Sequence, residues 1–226
     1  MIEEDRMVES RRNADMSAEG QLGIFLDAYL YPSLFQTGRF SSIQRIGDVE
    51  EQMAGVDVRF TGKDGAVYCV DEKAQLYYLN KALPTFAFEV QYLGEGGVSC
   101  GWLCSGRLKT DLYLLIWPFA LQDSPSKIHW DQFTKADCLL VERRKVLSLL
   151  GREGMSVERM ARDAAQIRRE GRVGKVPIKG VKGIYYYASD RKKYREAPIN
   201  VIIARGRLDK IAQRRYIVTK EGVEVR

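Results

Sequence analysis

The sequence has one histidine in 226 residues, and that scarcity argues against hydrolase chemistry built on histidine. The residue, His129, stands in Lys-Ile-His-Trp and reads as a surface or rim side chain. No apolar run approaches the roughly 18 residues that a membrane-spanning helix needs. The opening stretch, MIEEDRMVESRRNADMSAEG, is polar and mixed in charge, unlike a signal or transit peptide. A cytoplasmic chain with a flexible N-terminus over residues 1–16 and no membrane partner is the expectation. Four cysteines occur, Cys69, Cys100, Cys104 and Cys138, too few for a disulfide framework in a chain of this length. Cys100 and Cys104 lie close enough to raise zinc, but the remaining ligands would have to come from Cys69, Cys138 or His129 at irregular spacings. Ordinary buried or half-buried thiols are the preferred reading. Gly94-Glu-Gly-Gly lacks the lysine and the spacing of a nucleotide-binding loop.

What is abundant is charge, and it is unevenly placed. Apolar residues make up 45% and charged residues 29%, a balance typical of chains that fold. The formal charge of +6 divides into about −7 over residues 1–134 and about +13 over residues 135–226. So basic a segment, rich in arginine and interleaved with tyrosine, suggests a polyanionic partner, with nucleic acid foremost. A solvated basic surface is the alternative.

Leu22, Phe25, Leu26, Tyr29 and Ser33 share one face at helical spacing. They predict a first helix from Ser17 to about Phe35, with Ser17 as its cap and Pro32 kinking or ending the last turn. Phe40 to Ile46 is a strand candidate, followed by a Gly-Asp turn. Gly55 to Phe60 and Ala66 to Gln75 alternate and are joined by Thr-Gly-Lys-Asp-Gly, which predicts a β-hairpin. Strands are expected at 85–93, 111–117, 184–188 and 201–204, with a final one at 215–219. Helices are expected at 137–150, at 156–169 with Ser156 as cap, and at 208–213. Together these predict one compact α/β or α+β body.

The hairpin carries the chemistry. Residues two apart on a strand share a face, so Asp71, Lys73 and Gln75 line one side and Val70, Glu72 and Ala74 the other. Asp57, on the neighbouring strand, is placed to face the same side. Two carboxylates, an ammonium and an amide in one patch suit a hard divalent cation, Mg²⁺ or Mn²⁺, with the Glu72 backbone carbonyl as a further ligand. Lys73 would orient or deprotonate an attacking water. The competing reading is a solvated strand face, in which an exposed Asp57–Lys73 ion pair contributes less than about 1 kcal/mol.

The arrangement resembles the PD-(D/E)xK nuclease superfamily. The matching residues are Asp57 in Gly-Val-Asp-Val, then Asp71-Glu72-Lys73 followed by Ala74-Gln75. The wider run, from Gly-Val-Asp-Val through Val-Asp-Glu-Lys-Ala-Gln to Leu-Pro-Thr-Phe-Ala-Phe-Glu-Val, also looks like a group of bacterial proteins of this fold. The resemblance spans about residues 17–117. It implies a restriction-endonuclease-like core with a mixed four- to five-stranded sheet flanked by helices, and Mg-dependent endonuclease activity on DNA ahead of RNA.

The sequence departs from the pattern in three places. Val56 stands where the family has proline, the first-helix acid is either Glu19 or Asp27 with Glu19 preferred, and a strand-like segment at 85–93 follows the hairpin where many members place a longer helix. The implied partition is a core over residues 17–134 and a basic C-terminal α+β extension over 135–226 that grips nucleic acid. Tyr185-Tyr186-Tyr187, followed by Arg191, Lys192, Lys193, Tyr194 and Arg195, suits phosphates and stacked bases, although strand alternation sends at least one of the three tyrosines into the core. Trp102, Trp117 and Trp130 read as core or rim. A homodimer is compatible with these features. The alternative function is a non-catalytic nucleic-acid-binding module on a nuclease-like fold.

Overall fold

The structure is a computed structural model that describes residues 2–226, with side chains from residue 17 onward. Along the chain the elements are α1 (Ile2–Gln36), β1 (Phe40–Arg45), α2 (Val49–Met53), β2 (Val58–Gly62), β3 (Val67–Ala74), β4 (Thr85–Gly94), β5 (Gly97–Cys100), β6 (Leu112–Ala120) and β7 (Phe133–Glu142). There follow α3 (Arg143–Arg152), α4 (Val157–Arg169), β8 (Gly174–Pro177), β9 (Ile184–Ala188), β10 (Ile199–Ala204), α5 (Arg205–Asp209), β11 (Arg214–Thr219) and β12 (Gly222–Val225). Residues form two compact units, each discontinuous in sequence. The first comprises Met1–Leu83, Lys109–Glu142 and Ala212–Arg226, and the second Pro84–Leu108 and Arg143–Ile211. This interleaving replaces the expected partition into 1–16, 17–134 and 135–226.

The first unit is built on a seven-stranded mixed sheet of order β1-β2-β3-β6-β7-β11-β12, larger than the four to five strands expected. Neighbours are antiparallel except β3 and β6, which run parallel with Asp71 opposite Tyr113. One face is covered by α1. Its residues Leu22, Phe25, Leu26, Leu30 and Leu34 recur at helical spacing and pack with Val58, Phe60, Val70, Leu114, Ile116 and Cys138 in one apolar cluster. Ser17 lies inside α1 rather than at its start, because the helical backbone extends to Ile2. The side chains expected to be flexible at residues 1–16 lie outside the described ones. Pro32 is accommodated inside the helix, which ends four residues later at Gln36.

The expected helix over 137–150 is replaced up to Glu142 by the strand β7, and the helix begins only at Arg143. Alternate residues of β6 and β7 that do not face α1 are buried as well. Such strands lose the two-residue alternation, and a short apolar run then fits either period.

The second unit is a five-stranded antiparallel sheet of order β5-β4-β10-β9-β8 with α3, α4 and α5. Ser156 caps α4 as expected, its hydroxyl accepting from the Arg159 N–H at 3.2 Å. Met160, Ala164 and Ile167 form the buried face of that helix. Tyr186 of β9 is buried and donates to Asp163 at 3.0 Å, while Tyr187 is exposed, as strand alternation requires. Two edge strands, β8 and β12, and the β5 arm of the β4–β5 hairpin were not legible, being only four residues each. No described helix is long and apolar enough to cross a membrane.

Gly101 marks a close backbone approach in this unit. A Cβ there would lie 2.5 Å from the carbonyl carbon and oxygen of Glu89, whereas one at Gly96 would meet nothing within 4 Å. Gly101→Ala is therefore expected to cost about 1–3 kcal/mol of stability and Gly96→Ala less than about 0.5 kcal/mol. Denaturant unfolding of both variants checks this; equal effects would contradict the packing described.

Candidate active site

The strand geometry that carries the site begins at α2. Asp48 caps this short helix by accepting from the Glu51 N–H at 2.9 Å. The chain then turns through Gly55, whose φ of 77° favours glycine, and buries Val56. That places Asp57 one residue before β2, between two strands. Its N–H donates to Val70 O at 2.9 Å, and its own carbonyl accepts from the Ile46 N–H at 2.8 Å. Lys109 and Thr110 brace the turn, the Lys109 N–H donating to Ala54 O at 2.8 Å and the Thr110 hydroxyl to Gly55 O at 2.9 Å.

Asp57 and Asp71 come together across the hairpin. Asp57 Oδ2 accepts from the Glu72 N–H at 2.7 Å, and the Asp71 charge acts on the Asp57 carboxylate. Asp71 is only 1% exposed. Its Oδ1 meets Lys73 Nζ at 2.6 Å, and its Oδ2 is buried without a hydrogen-bond donor. This is not a solvated strand face, and the close ion pair joins Lys73 to Asp71 rather than to Asp57.

Burial raises the Asp57 pKa, and the neighbouring Asp71 charge raises it further, to about 6 against the opposing pull of Lys73. Burial also raises Asp71, with Lys73 opposing. Burial works against the Lys73 ammonium, but Asp71, Asp57 and Glu19 outweigh it and hold its pKa above the ordinary lysine value. Lys73 is therefore a cation at neutral pH. In this state it can orient a nucleophile or stabilise negative charge, but it is not a base.

Glu19, on α1, contributes to the field at Lys73. Asp27 instead pairs with Arg45 at 2.7 Å. The structure thus brings Glu19, not Asp27, into the electrostatics of the site. Gln75 lies just past β3, where its N–H donates to Ile116 O at 3.0 Å and a 3-10 turn, Leu76–Tyr78, begins. The strand alternation that grouped it with Asp71 and Lys73 ends at Ala74.

Behind the site, Glu72 points toward α1. Arg45 grips both its oxygens at 2.9 Å, and Tyr31 donates to it. The same guanidinium reaches Gly23 O at 3.2 Å, and a Cβ on Gly23 would lie 3.2 Å from its central carbon. Burial would lower the Arg45 pKa, but the Glu72 and Asp27 contacts outweigh it and keep the group charged. Burial raises the Tyr31 phenol, and Glu72 adds to this, so it remains a donor. Sequence reasoning missed Arg45 and Tyr31. The only available signal was a charged residue on the apolar face of a strand.

The groups suited to a hard cation are Asp57 and Asp71, with backbone carbonyl and water to complete the shell. Two close carboxylates and a buried oxygen lacking a donor fit such an ion. Among the described residues no three His, Cys, Asp or Glu side chains converge as a metal cage, which is compatible only with an ion that keeps several waters. Cys100 and Cys104 belong to the second unit and Cys69 and Cys138 to the first, and burial pushes the Cys104 thiol up to about 12. His129 is exposed, with Nδ1 2.8 Å from Asp131. Arg191, Lys192, Lys193 and Arg195 are all exposed on the β9–β10 loop of the second unit. The chain matches no protein-family model, no curated protein and no solved structure.

A carboxyl group raised in the folded state favours folding below its unfolded pKa, and that contribution is lost as pH rises through the folded value. Asp57→Asn keeps an acceptor for the Glu72 N–H but removes the charge. At pH 7.5 it is expected to be more stable than wild type by about 1–3 kcal/mol, with the gain vanishing near pH 4. Denaturant midpoints at both pH values check this, and a pH-independent difference would contradict it. Arg45→Ala, which leaves Glu72 unpaired, is expected to cost about 2–4 kcal/mol, given partial burial. Adding Glu72→Gln to Arg45→Ala should recover part of that loss in the same measurement.

Proposed function

We propose that the chain is a metal-dependent nuclease hydrolysing phosphodiester bonds of nucleic acid, with DNA ahead of RNA. The observation that carries this reading is half-buried Asp57 paired with buried Asp71 beside the Lys73 ammonium, Asp71 having one carboxylate oxygen without a donor. Buried, mutually repelling carboxylates are costly unless a proton or cation offsets them. The order β1-β2-β3-β6, antiparallel twice and then parallel, preceded by α1, supports a restriction-endonuclease-like core.

In this reading Asp57, Asp71 and the Glu72 carbonyl would hold Mg²⁺ or Mn²⁺. When bound, such an ion acidifies a coordinated water and neutralises charge on the phosphate. Lys73 would stay an ammonium, orienting the nucleophile and stabilising the charge that builds on the phosphoryl oxygens. Its role as proton acceptor, the other option read from the sequence, finds no support in its raised pKa. Glu19 would hold Lys73 charged, and Gln75 would border the site.

A second reading, a non-catalytic nucleic-acid-binding module, draws on the 2.6 Å contact by which Lys73 already occupies Asp71. Cleavage assays on single-stranded, double-stranded and branched DNA and on RNA, with Mg²⁺ or with chelator, separate the two. Metal-dependent cleavage is expected, and it should fall by at least about 100-fold in Lys73→Ala and in Asp71→Ala. Mg²⁺ at pH 7.5 should raise the melting temperature of wild type and of Lys73→Ala but not of Asp71→Ala. Binding without cleavage on every substrate would favour the binding module. Cleavage retained in Asp71→Ala would remove the site proposed here.

A further inference from the structure

The second unit carries charge out of proportion to its size. Counting Lys and Arg against Asp and Glu, it holds about +11, and the first unit about −5. Two of its clefts differ in how that charge is arranged. The cleft between α4, β8 and β9 has an open volume of about 190 Å³ and includes Arg159, Asp163, Glu170 and Arg172 in its lining. There each arginine has an acid beside it, Arg172 pairing with Glu170 at 2.6 Å and Arg159 with Asp163 at 3.6 Å. Such pairs leave little net field.

The other cleft, of about 290 Å³, is lined by Lys145, Ser148, Arg152, Lys210 and Ile211. Among the described residues, three cations and a hydroxyl line it, and no carboxylate does. Lys145, Ser148 and Arg152 are spaced by three and four residues on α3, which puts them in one stripe on the helix surface. Lys210 follows directly on α5. Positive charge gathered round one concavity draws an anion to it. Two ammonium groups, one guanidinium fork and a hydroxyl are all donors suited to phosphate oxygens.

We propose that this cleft binds a backbone phosphate of nucleic acid and serves as an anchoring site distinct from the Arg191–Arg195 loop. The proposal rests on the nucleic-acid reading above but not on cleavage. A polymer is favoured over an isolated phosphate because the same unit exposes a second basic stretch at Arg191, Lys192, Lys193 and Arg195. Nucleic acid is favoured over a lipid surface because the exposed aromatic groups of that unit include Tyr187 at 45% and Tyr194 at 48%, side chains that stack on bases.

The test is fluorescence anisotropy with labelled single-stranded and duplex DNA in EDTA, titrated at several KCl concentrations. Replacing Lys145, Arg152 and Lys210 together by Gln is expected to weaken binding at least about tenfold and to lower the salt slope by about 2 to 3. The comparison variant, with Arg159, Arg172 and Lys179 replaced by Gln, changes net charge equally but should alter the slope by less than about 1. Melting curves verify folding, and Lys210→Glu, at an exposed position, serves as the second variant if the triple one is unfolded. It too should weaken binding. Equal losses in the two triple variants would reduce the effect to net charge and overturn the site. So would unchanged binding in the cleft variant, absence of wild-type binding to any nucleic acid, or binding to anionic vesicles alone. Because EDTA removes cleavage, failure here is separable from failure of the Asp71 site, which loses cleavage in Mg²⁺ while retaining DNA binding.

Discussion

The ion pair between Arg45 and Glu72 governs which way β3 turns its side chains. A strand alternates with a period of two, so a slip of one residue would exchange every inward group for an outward one. Glu72 is held on the α1 side by a bidentate guanidinium, with both contacts at 2.9 Å and Tyr31 donating as well. Its backbone N–H is held from the other strand by Asp57. With Glu72 fixed by side chain and backbone, Asp71 and Lys73 take the opposite face. Gly23 belongs to the same device, since any side chain there would crowd the arginine that links α1 to the strand.

The middle residue of the Asp71-Glu72-Lys73 run therefore has a structural task, while its neighbours turn to the opposite face beside Asp57. This division explains why so polar a run persists in a half-buried strand. Each charge has a counterpart of opposite sign, but the account around Asp71 is incomplete. Asp57 and Asp71 bring two negative charges to one positive at Lys73. At an effective dielectric near 20, two unit charges about 4 Å apart interact by about 4 kcal/mol. An excess carboxylate at that depth is relieved by a proton, which is what the raised Asp57 pKa of about 6 expresses, or by a cation.

How much of this was legible in the sequence depends on how local each feature is. The hairpin, the Ser156 cap and the strand at Ile184–Ala188 follow from alternation and turn chemistry within a few residues, and they lie where expected. The pairing of Asp57 with Asp71 follows from the same alternation. By contrast, Arg45 meets Glu72 across 27 positions, and nothing in the spacing foretells it. The strand character of Asp137–Glu142 was hidden because burial erased its periodicity. The unit boundaries were hidden for a different reason. The β4–β5 hairpin is inserted between β3 and β6, while its antiparallel partner β10 comes about a hundred residues later, so a scan for composition shifts cannot join them.

The charge distribution sharpens when it follows the units instead of the sequence. Divided at residue 134, the C-terminal segment takes in most of β7, whose net charge is −1, and the basic C-terminal hairpin, both of which belong to the first sheet. Sorted by unit, the basic groups gather on α3, α4 and the loops of the five-stranded sheet, and the carboxylate pair belongs to a unit that is acidic overall. A phosphodiester approaching Asp57 and Asp71 would be repelled by them before any cation compensated their charge. Lys73 alone cannot reverse that repulsion, since it is already matched to Asp71 at 2.6 Å. Under the proposed function, a polyanionic substrate would have to draw its affinity from elsewhere in the chain. Only the second unit has the charge to supply it. Under the proposed function, binding and chemistry would be divided between the units: the cations of the second would set affinity and salt dependence, and the carboxylates of the first would act on the scissile bond.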